Sequence, residues 1–119
     1  MPECINFKIV DGEKRWTYPL RIRFNKKKII EATITDHYQK EHPEITNELI
    51  MELLVKMDGE ILKPIEYPDK NVYKWEKDYK GKRYRLIFWY NNNNSQGLWI
   101  RNCYPIDSID RKIFKSKNE

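Results

Sequence analysis

The sequence predicts an α+β fold in which an N-terminal hairpin and one or two helices precede a twisted antiparallel sheet of about four strands. Residues 5–10 and 16–24 alternate apolar and polar side chains on either side of an Asp-Gly turn, as hairpin strands do. Residues 45–57 repeat apolar side chains every three or four positions, which is typical of an amphipathic helix. From residue 60 onward, short alternating runs are separated by turn-forming residues, which favours antiparallel strands.

The length and composition of the chain predict one folded domain over residues 1–119. A chain of 119 residues has room for a single core, and its four tryptophans and eight tyrosines argue against disorder. No apolar run approaches the roughly 20 residues that span a bilayer. The N-terminal residues lack the basic start and apolar stretch of a signal peptide. We therefore expect a cytoplasmic protein that does not contact a membrane.

The first half of the chain is predicted to hold three strands. The basic hairpin of residues 5–25 is followed by a third strand over residues 28–35. The lysine run at residues 26–28 between them is interpreted as a solvated loop, although three ammonium groups can also engage phosphate.

Two helical segments are predicted next. Thr35 or Asp36 can cap a short helical turn, since Gln39 lies three positions after Asp36. The main helix begins after Thr46, which is a favourable cap residue, and it ends at Gly59, which tolerates positive φ. Its apolar stripe is predicted to pack into the core.

The second half is predicted to form the main sheet. An edge strand is expected over residues 60–67, because it contains Pro64, and a turn over residues 68–71. Three further strands follow. They cover residues 72–79, 82–90 and 98–106, with a loop at residues 91–97, and a brief helix at 109–114 and a frayed tail at 115–119 come after them.

The charge distribution favours a nucleic-acid partner. The net charge is +5, and the acidic residues concentrate in the middle of the chain while both flanks are basic. If the flanks share one sheet, they present a positive face suited to a phosphate backbone. The alternative is a surface that is merely well solvated.

Both histidines lie within six positions of each other, at His37 and His42, just ahead of the main helix. Histidine readily takes and gives a proton near neutral pH, so these residues are candidates for an acid and a base; otherwise they are incidental surface residues. They form no HExxH motif, no triad with an activated Ser or Cys is identifiable, and the chain has no glycine-rich phosphate loop. We therefore expect neither a metal ion nor any other cofactor.

The two cysteines, Cys4 and Cys103, form no CxxC pair and no zinc pattern. Both are predicted to be free thiols. Cys103 lies in an apolar strand, where a buried structural thiol is favoured over a nucleophile.

RNA cleavage without a metal requires a base, an acid and cations that stabilise the charge developing on phosphorus. Arg85 and Arg101 can face the same side of neighbouring strands, since each alternates with apolar residues; otherwise they are charges on a solvated sheet face. The candidate catalytic residues are His37, His42, Arg85, Arg101 and Tyr104, although Tyr104 can also be a core residue. The candidate nucleic-acid-binding residues are Arg21, Arg23, Lys82, Arg83, Trp89 and Trp99.

Two motifs carry a resemblance to a known family. They are the His-x4-His-Pro-Glu-Ile-Thr segment of residues 37–46 and the Trp-Ile-Arg-Asn-Cys-Tyr-Pro-Ile strand of residues 99–106. With the order of elements around them, they resemble the small nucleases of the barnase, EndoU, colicin and RelE superfamily, and most nearly its phage, polymorphic-toxin and BrnT-like branches. The resemblance covers about residues 34–107, a nuclease-like core.

The resemblance implies a metal-independent α+β endoribonuclease, toxin-like and associated with a mobile genetic element, with a cognate inhibitor protein as a possible partner. It makes His37 or His42 the acid or base, and Arg85 and Arg101 the phosphate contacts. The chain departs from the family at Asn102 and Cys103, where the family commonly offers a small hydroxyl residue.

Two other functions fit the same residues. The first is a non-catalytic module of the same fold that binds nucleic acid or protein, in which the histidines are incidental. The second is a phage-type inhibitor whose acidic helix contacts a basic host protein. The hairpin of residues 5–25 lies outside the family resemblance and is a sheet extension, a binding arm or a surface for an inhibitor.

Overall fold

A computed structural model describes residues 2–65, 71–90 and 96–106, apart from the side chain of Lys40. It corrects the predicted α+β class, because these residues are mostly β and form one sheet of six strands with two short helices. The strands are β1 (Asn6–Val10), β2 (Glu13–Phe24), β3 (Lys27–Thr35), β4 (Val72–Tyr79), β5 (Lys82–Trp89) and β6 (Gly97–Ile106), and the helices are α1 (His37–Glu41) and α2 (Asn47–Lys56). Neither of these helices is long and apolar enough to cross a bilayer.

The sheet has the strand order β1-β2-β3-β6-β5-β4. The first three strands are antiparallel neighbours, and so are the last three. One parallel pairing joins the two halves, in which residues 31–34 of β3 lie against residues 97–100 of β6. The prediction of a separate N-terminal hairpin beside a four-stranded sheet is therefore wrong, because β3 continues the hairpin and extends it directly into the second half.

The core lies on one side of this sheet, under α2. Along β2 every second side chain from Tyr18 to Phe24 is buried, and the apolar stripe of α2 packs against these side chains, as predicted. Phe24 makes edge-on ring contacts with three other aromatic residues, at centroid distances of 5.1 to 5.4 Å. We call the opposite side of the sheet the open face, since none of the described elements packs across it. It carries the odd-numbered side chains of β2 and β5.

The two helices begin in different ways. Thr46 caps α2 as predicted, and its hydroxyl accepts a hydrogen bond from the Leu49 N–H at 3.1 Å. Asp36 occupies the cap position of α1, but its side chain makes no capping bond. Its backbone N–H donates instead to the Lys14 carbonyl at 3.1 Å, which ties the start of α1 to β2.

The predicted strand over residues 60–67 does not form in its described part, residues 60–65. Pro64 has no N–H to donate to a ladder, and Asn25 binds this segment instead. The Asn25 N–H donates to the Glu60 carbonyl at 3.0 Å, and the Asn25 side-chain oxygen accepts from the Leu62 N–H at 2.8 Å. The helix predicted at residues 109–114 and the tail at 115–119 lie outside the described residues, as do most of the predicted turn at 68–71 and loop at 91–97.

We expect Asn25→Ala to lower the free energy of unfolding by about 1–3 kcal/mol, because it leaves the Leu62 N–H without its acceptor. Asn25 also has a φ of 51°, which asparagine tolerates better than alanine. Asn25→Asp keeps the acceptor and should retain most of the stability in denaturant titrations. Equal losses in the two variants would contradict this role.

Candidate functional site

The open face contains a cup of about 270 Å³ where the two halves of the sheet meet. The cup brings together two candidate catalytic residues, His37 and Arg101, with two candidate nucleic-acid-binding residues, Trp89 and Trp99. Its complete lining is Glu13, Arg15, Thr35, His37, Trp89, Trp99 and Arg101. Part of the predicted set therefore converges, and it does so around residues that the sequence did not indicate.

Strand register sets the positions of the residues in the cup. Arg15 lies opposite Thr35 in the β2–β3 pairing, and Trp99 lies opposite Trp89 in the β5–β6 pairing. Arg101 is the extra residue of a β-bulge, because Ile87 pairs with Asn102 while the next residue of β5 pairs with Ile100. A bulge redirects the side chain that it carries, which accounts for Arg101 reaching the cup beside Trp99.

His37 reaches the cup because the start of α1 is fixed on both sides. The N–H of Asp36 is bound to the carbonyl of Lys14, between Glu13 and Arg15 in the chain. On the other side, the hydroxyl of the buried Thr35 donates to the Ile100 carbonyl at 3.3 Å. These bonds hold the first residue of α1 beside Glu13.

The charged groups of the cup form a connected set. The Arg15 Nε donates to one carboxylate oxygen of Glu13 at 2.8 Å, and the other oxygen lies 3.7 Å from the Nε2 of His37. The Arg15 guanidinium also lies 4.9 Å from the centroid of the Trp99 ring, within the range of a cation–π contact. These contacts restrict Glu13 and Arg15 to one arrangement.

Arg101 differs from Arg15 in having no such restraint. Its side chain is exposed and forms no hydrogen bond or ion pair with any residue in the described part of the chain. The imidazole of His37 is also accessible, with 65% of its side chain exposed. The cup thus presents to solvent an accessible imidazole and a guanidinium that has no partner among the described residues, beside the carboxylate of Glu13.

The other predicted catalytic residues form a separate cluster. The ring of His42 stacks on Tyr104 at a centroid distance of 5.8 Å, and its Nδ1 lies 3.5 Å from a carboxylate oxygen of Glu44. Arg85 donates to the Tyr104 hydroxyl at 3.2 Å and to Glu76 at 2.7 Å. The Tyr104 hydroxyl and, after it, the Glu76 carboxylate raise the pKa of Arg85. The guanidinium of Arg85 is therefore already occupied by its neighbours.

The two histidines lie in different clusters because the turn of α1 separates their directions. His37 is the first residue of α1 and His42 is its C-cap. Five residues of helix advance about 7.5 Å and turn through roughly 140°, so the two side chains leave the helix in different directions. Proximity in sequence therefore does not bring them into one site.

The remaining predicted binding residues are distributed over the rest of the sheet. Arg83 is paired with Asp78 at 3.2 Å and lies 3.7 Å from Glu76. Lys82 is exposed at the tight turn between β4 and β5. Arg21 and Arg23 lie on the open face at the far end of β2 from the cup, and neither lines the cup.

Sequence reasoning missed Glu13 and Arg15. The predicted second strand begins at residue 16, which leaves the preceding Glu-Lys-Arg run in the hairpin connection. The missed signal is the alternation itself, since Glu13, Arg15 and Thr17 continue the pattern of β2 backwards onto the open face.

The described residues offer little support for a metal site or for thiol chemistry. Among the described residues, no three His, Cys, Asp or Glu side chains are grouped so that they could hold a metal ion. Cys103 is buried on the core side of β6, and this burial raises the pKa of its thiol to about 12. Cys103 is therefore a packing residue and does not contribute to the cup.

We expect the native protein to expose one reactive thiol and the unfolded protein two. A thiol with a pKa of about 12 is ionised in about one molecule in 10⁴ at pH 8, whereas Cys4 is exposed. A disulfide-exchange reagent should therefore label only Cys4 before denaturant is added, and Cys4→Ser should abolish that native labelling. Fast native labelling of the Cys4→Ser variant would contradict the burial of Cys103.

Comparisons of the chain with protein-family models, with curated proteins and with solved structures find no match.

Proposed function

We propose that the protein is a metal-independent endoribonuclease whose reacting groups lie in the cup. The observation that carries this proposal is the convergence of one carboxylate, one imidazole and two guanidinium groups on a single opening. Cleavage of RNA through its 2′-hydroxyl requires a base, an acid and cations around the phosphate, and these side chains supply each of them. The toxin-like role and the cognate inhibitor that the family resemblance implies are part of this proposal.

Each proton transfer of the proposed cleavage is assigned to one side chain. The Glu13 carboxylate takes the proton of the 2′-hydroxyl, and the 2′-oxygen forms a bond to phosphorus as the bond from phosphorus to the 5′-oxygen breaks. A protonated His37 gives its proton to the departing 5′-oxygen. The products are a 2′,3′-cyclic phosphate and a free 5′-hydroxyl, so no other reactant is needed.

The two arginines act on the charge that accumulates on the phosphate oxygens. Arg15 is held in place by Glu13 and Trp99, so little reorganisation is required when the phosphate arrives. Arg101 has a guanidinium without a partner among the described residues, so all of its donors remain for the phosphate. Trp89, directly across from Trp99, provides an aromatic surface for a base.

One feature of the cup favours a second function, the binding of nucleic acid without cleavage. Glu13 and His37 lie 3.7 Å from each other, whereas an acid and a base must act on opposite sides of the phosphorus. Cleavage therefore requires the phosphate to enter between them. If the phosphate binds above Glu13 and His37 instead, the same arginines and tryptophans form a site that binds nucleic acid without cleaving it.

We expect purified protein to cleave single-stranded RNA in the presence of a chelator, and Glu13→Gln and His37→Ala each to lower kcat by about 10²–10⁴-fold. The measurement is the rate at which 2′,3′-cyclic phosphate ends form. The matched changes in the other cluster, Glu76→Gln and His42→Ala, should cause far smaller losses.

Two results would contradict the catalytic assignment. One is cleavage that survives both Glu13→Gln and His37→Ala in folded protein. The other is salt-sensitive binding of a 2′-O-methyl oligonucleotide without any cleavage of the unmodified RNA, which would establish the binding module.

We expect Arg101→Ala to lower kcat by about 10²–10³-fold, the usual effect of removing one donor to a developing oxyanion. Because Arg101 is exposed and has no partner among the described residues, its removal should leave the midpoint of thermal unfolding unchanged. Arg101→Lys keeps the charge but loses the forked donor geometry, so its kcat should lie between the kcat of the unchanged protein and that of Arg101→Ala. A normal rate in Arg101→Ala would exclude this residue from the reaction.

A further inference from the structure

A second group of cations lies on the open face, at the opposite end of β2 from the cup. Arg21, Arg23 and Lys28 line an opening of about 760 Å³, which we call the basin. Its remaining lining is Pro19, Ile22, Ile30 and Asp58. Nothing in the reaction at the cup requires this concentration of positive charge.

The described lining of the basin contains three cations and one acid, Asp58. Arg23 and Lys28 are direct cross-strand partners, an arrangement of like charges that destabilises a sheet. In the described part of the chain, the side chains of Arg21, Arg23 and Lys28 form no ion pair with an acid. Asp58 lines the basin, but the contact that it makes there is an acceptor bond from the backbone N–H of Arg23, at 2.7 Å. The basin is therefore suited to an anion supplied from outside.

The cup and the basin share one strand, β2. Its buried side chains from Tyr18 to Phe24 are all even-numbered, so Arg15, Arg21 and Arg23 are on the alternate, unburied side of the strand. The β2–β3 register shifts between Pro19 and Ile22, and Arg21 also borders an opening lined by Glu48 and Glu52 of α2. At about 3.3 Å per residue, Arg15 and Arg21 are separated by about 20 Å along the strand. Positive charge thus occurs at both ends of this part of β2.

The floor between the two ends is almost neutral. Thr17 and Thr33 are hydrogen-bonded to each other at 2.9 Å, and Pro19 follows on β2. Between the cup and the basin, Glu31 is the one acid among the described residues; it lies opposite Pro19, with its side chain beside Gly97. A strand of phosphates that passes from one end to the other therefore meets one acid on the floor, in addition to Glu13 in the cup and Asp58 in the basin.

We propose that a single strand of RNA lies along β2 on the open face, with the phosphate to be cleaved in the cup and the neighbouring phosphates in the basin. This inference rests on the proposed function, and it makes the preferred substrate an unpaired segment of about four nucleotides or more, the smallest footprint usual for such surfaces. A duplex fits less well, because its stacked bases cannot reach the tryptophan rings of the cup.

The test uses a 2′-O-methyl octanucleotide and a 2′-O-methyl dinucleotide, which bind but cannot be cut. The octanucleotide should bind more tightly. Lys28→Glu should weaken octanucleotide binding by about tenfold or more, and should lower the slope of log K against log salt by about 0.7 for each phosphate that the protein no longer neutralises. The same change gives Arg23 an opposite-charge neighbour, so the midpoint of thermal unfolding should not fall.

Lys14→Glu is the matched control, since it reverses the same charge on a neighbouring strand. Lys14 is exposed and its number places it on the opposite side of β2, so its effect on octanucleotide binding should be much smaller. Glu31→Gln should tighten octanucleotide binding, because it removes the acid along the path. Equal effects of Lys28→Glu and Lys14→Glu, or equal affinities of the two oligonucleotides, would overturn the proposal.

The cleavage rates separate this inference from the proposed function. If both hold, Lys28→Glu lowers kcat/KM for an unmodified octanucleotide far more than for a dinucleotide. If Lys28→Glu lowers kcat/KM equally for the two substrates, the proposed ribonuclease activity stands and the proposed path along β2 is wrong. If Lys28→Glu weakens octanucleotide binding but the protein cleaves no RNA, the path stands and the proposed ribonuclease activity is wrong.

Discussion

The structure depends on one short parallel pairing, in which residues 31–34 of β3 lie against residues 97–100 of β6. Without it the chain would be two separate three-stranded sheets, each with one apolar side and two edges. The pairing requires the chain to cross from the end of β3 to the far edge at β4 and return through β5, and α1 and α2 lie on that crossing. Because α2 covers the side of the sheet that it crosses, the pairing decides which face is buried and which face remains open.

The cup is a direct product of that pairing. Glu13, Arg15 and His37 come from the first half of the chain, whereas Trp99 and Arg101 come from the second half, and neither half holds both the proposed acid–base pair and both arginines. The pairing ends at Ile34 and Ile100, and the next residue of β6 is the bulged Arg101. At the junction between β3 and α1 the chain no longer pairs with β6, and His37 and the redirected Arg101 lie beside this junction. The proposed reacting groups thus lie together where regular strand pairing stops.

This origin explains what the sequence could and could not predict. Alternation and capping signals are local, so they locate the strands at residues 28–35, 82–90 and 98–106 and the cap at Thr46 to within a residue or so. The β3–β6 pairing joins residues more than sixty positions apart without a turn to mark it, so local patterns do not predict the six-stranded sheet. The histidines stand out by residue type alone, while Glu13 resembles any acid near a turn. Each histidine lies near a carboxylate, so only the tertiary pairing distinguishes His37, which shares a cup with Arg15 and Arg101, from His42, which stacks on Tyr104.

The two halves of the open face also differ in how their cations are balanced. On β5, Arg83 and Arg85 are each paired with an acid of β4, so the charge of that half is neutralised within the sheet. On β2 and β3, Arg21, Arg23 and Lys28 have no such acid among the described residues, and two of them oppose each other. A phosphate chain leaving the cup therefore meets a neutralised surface in one direction and an unbalanced one in the other. Arg85 and Arg83 stabilise the β4–β5 hairpin, whereas Arg21 and Arg23 of β2 keep a positive electrostatic potential that an external anion can relieve. This asymmetry, more than the number of basic residues, is what favours β2 as the direction of the proposed RNA strand.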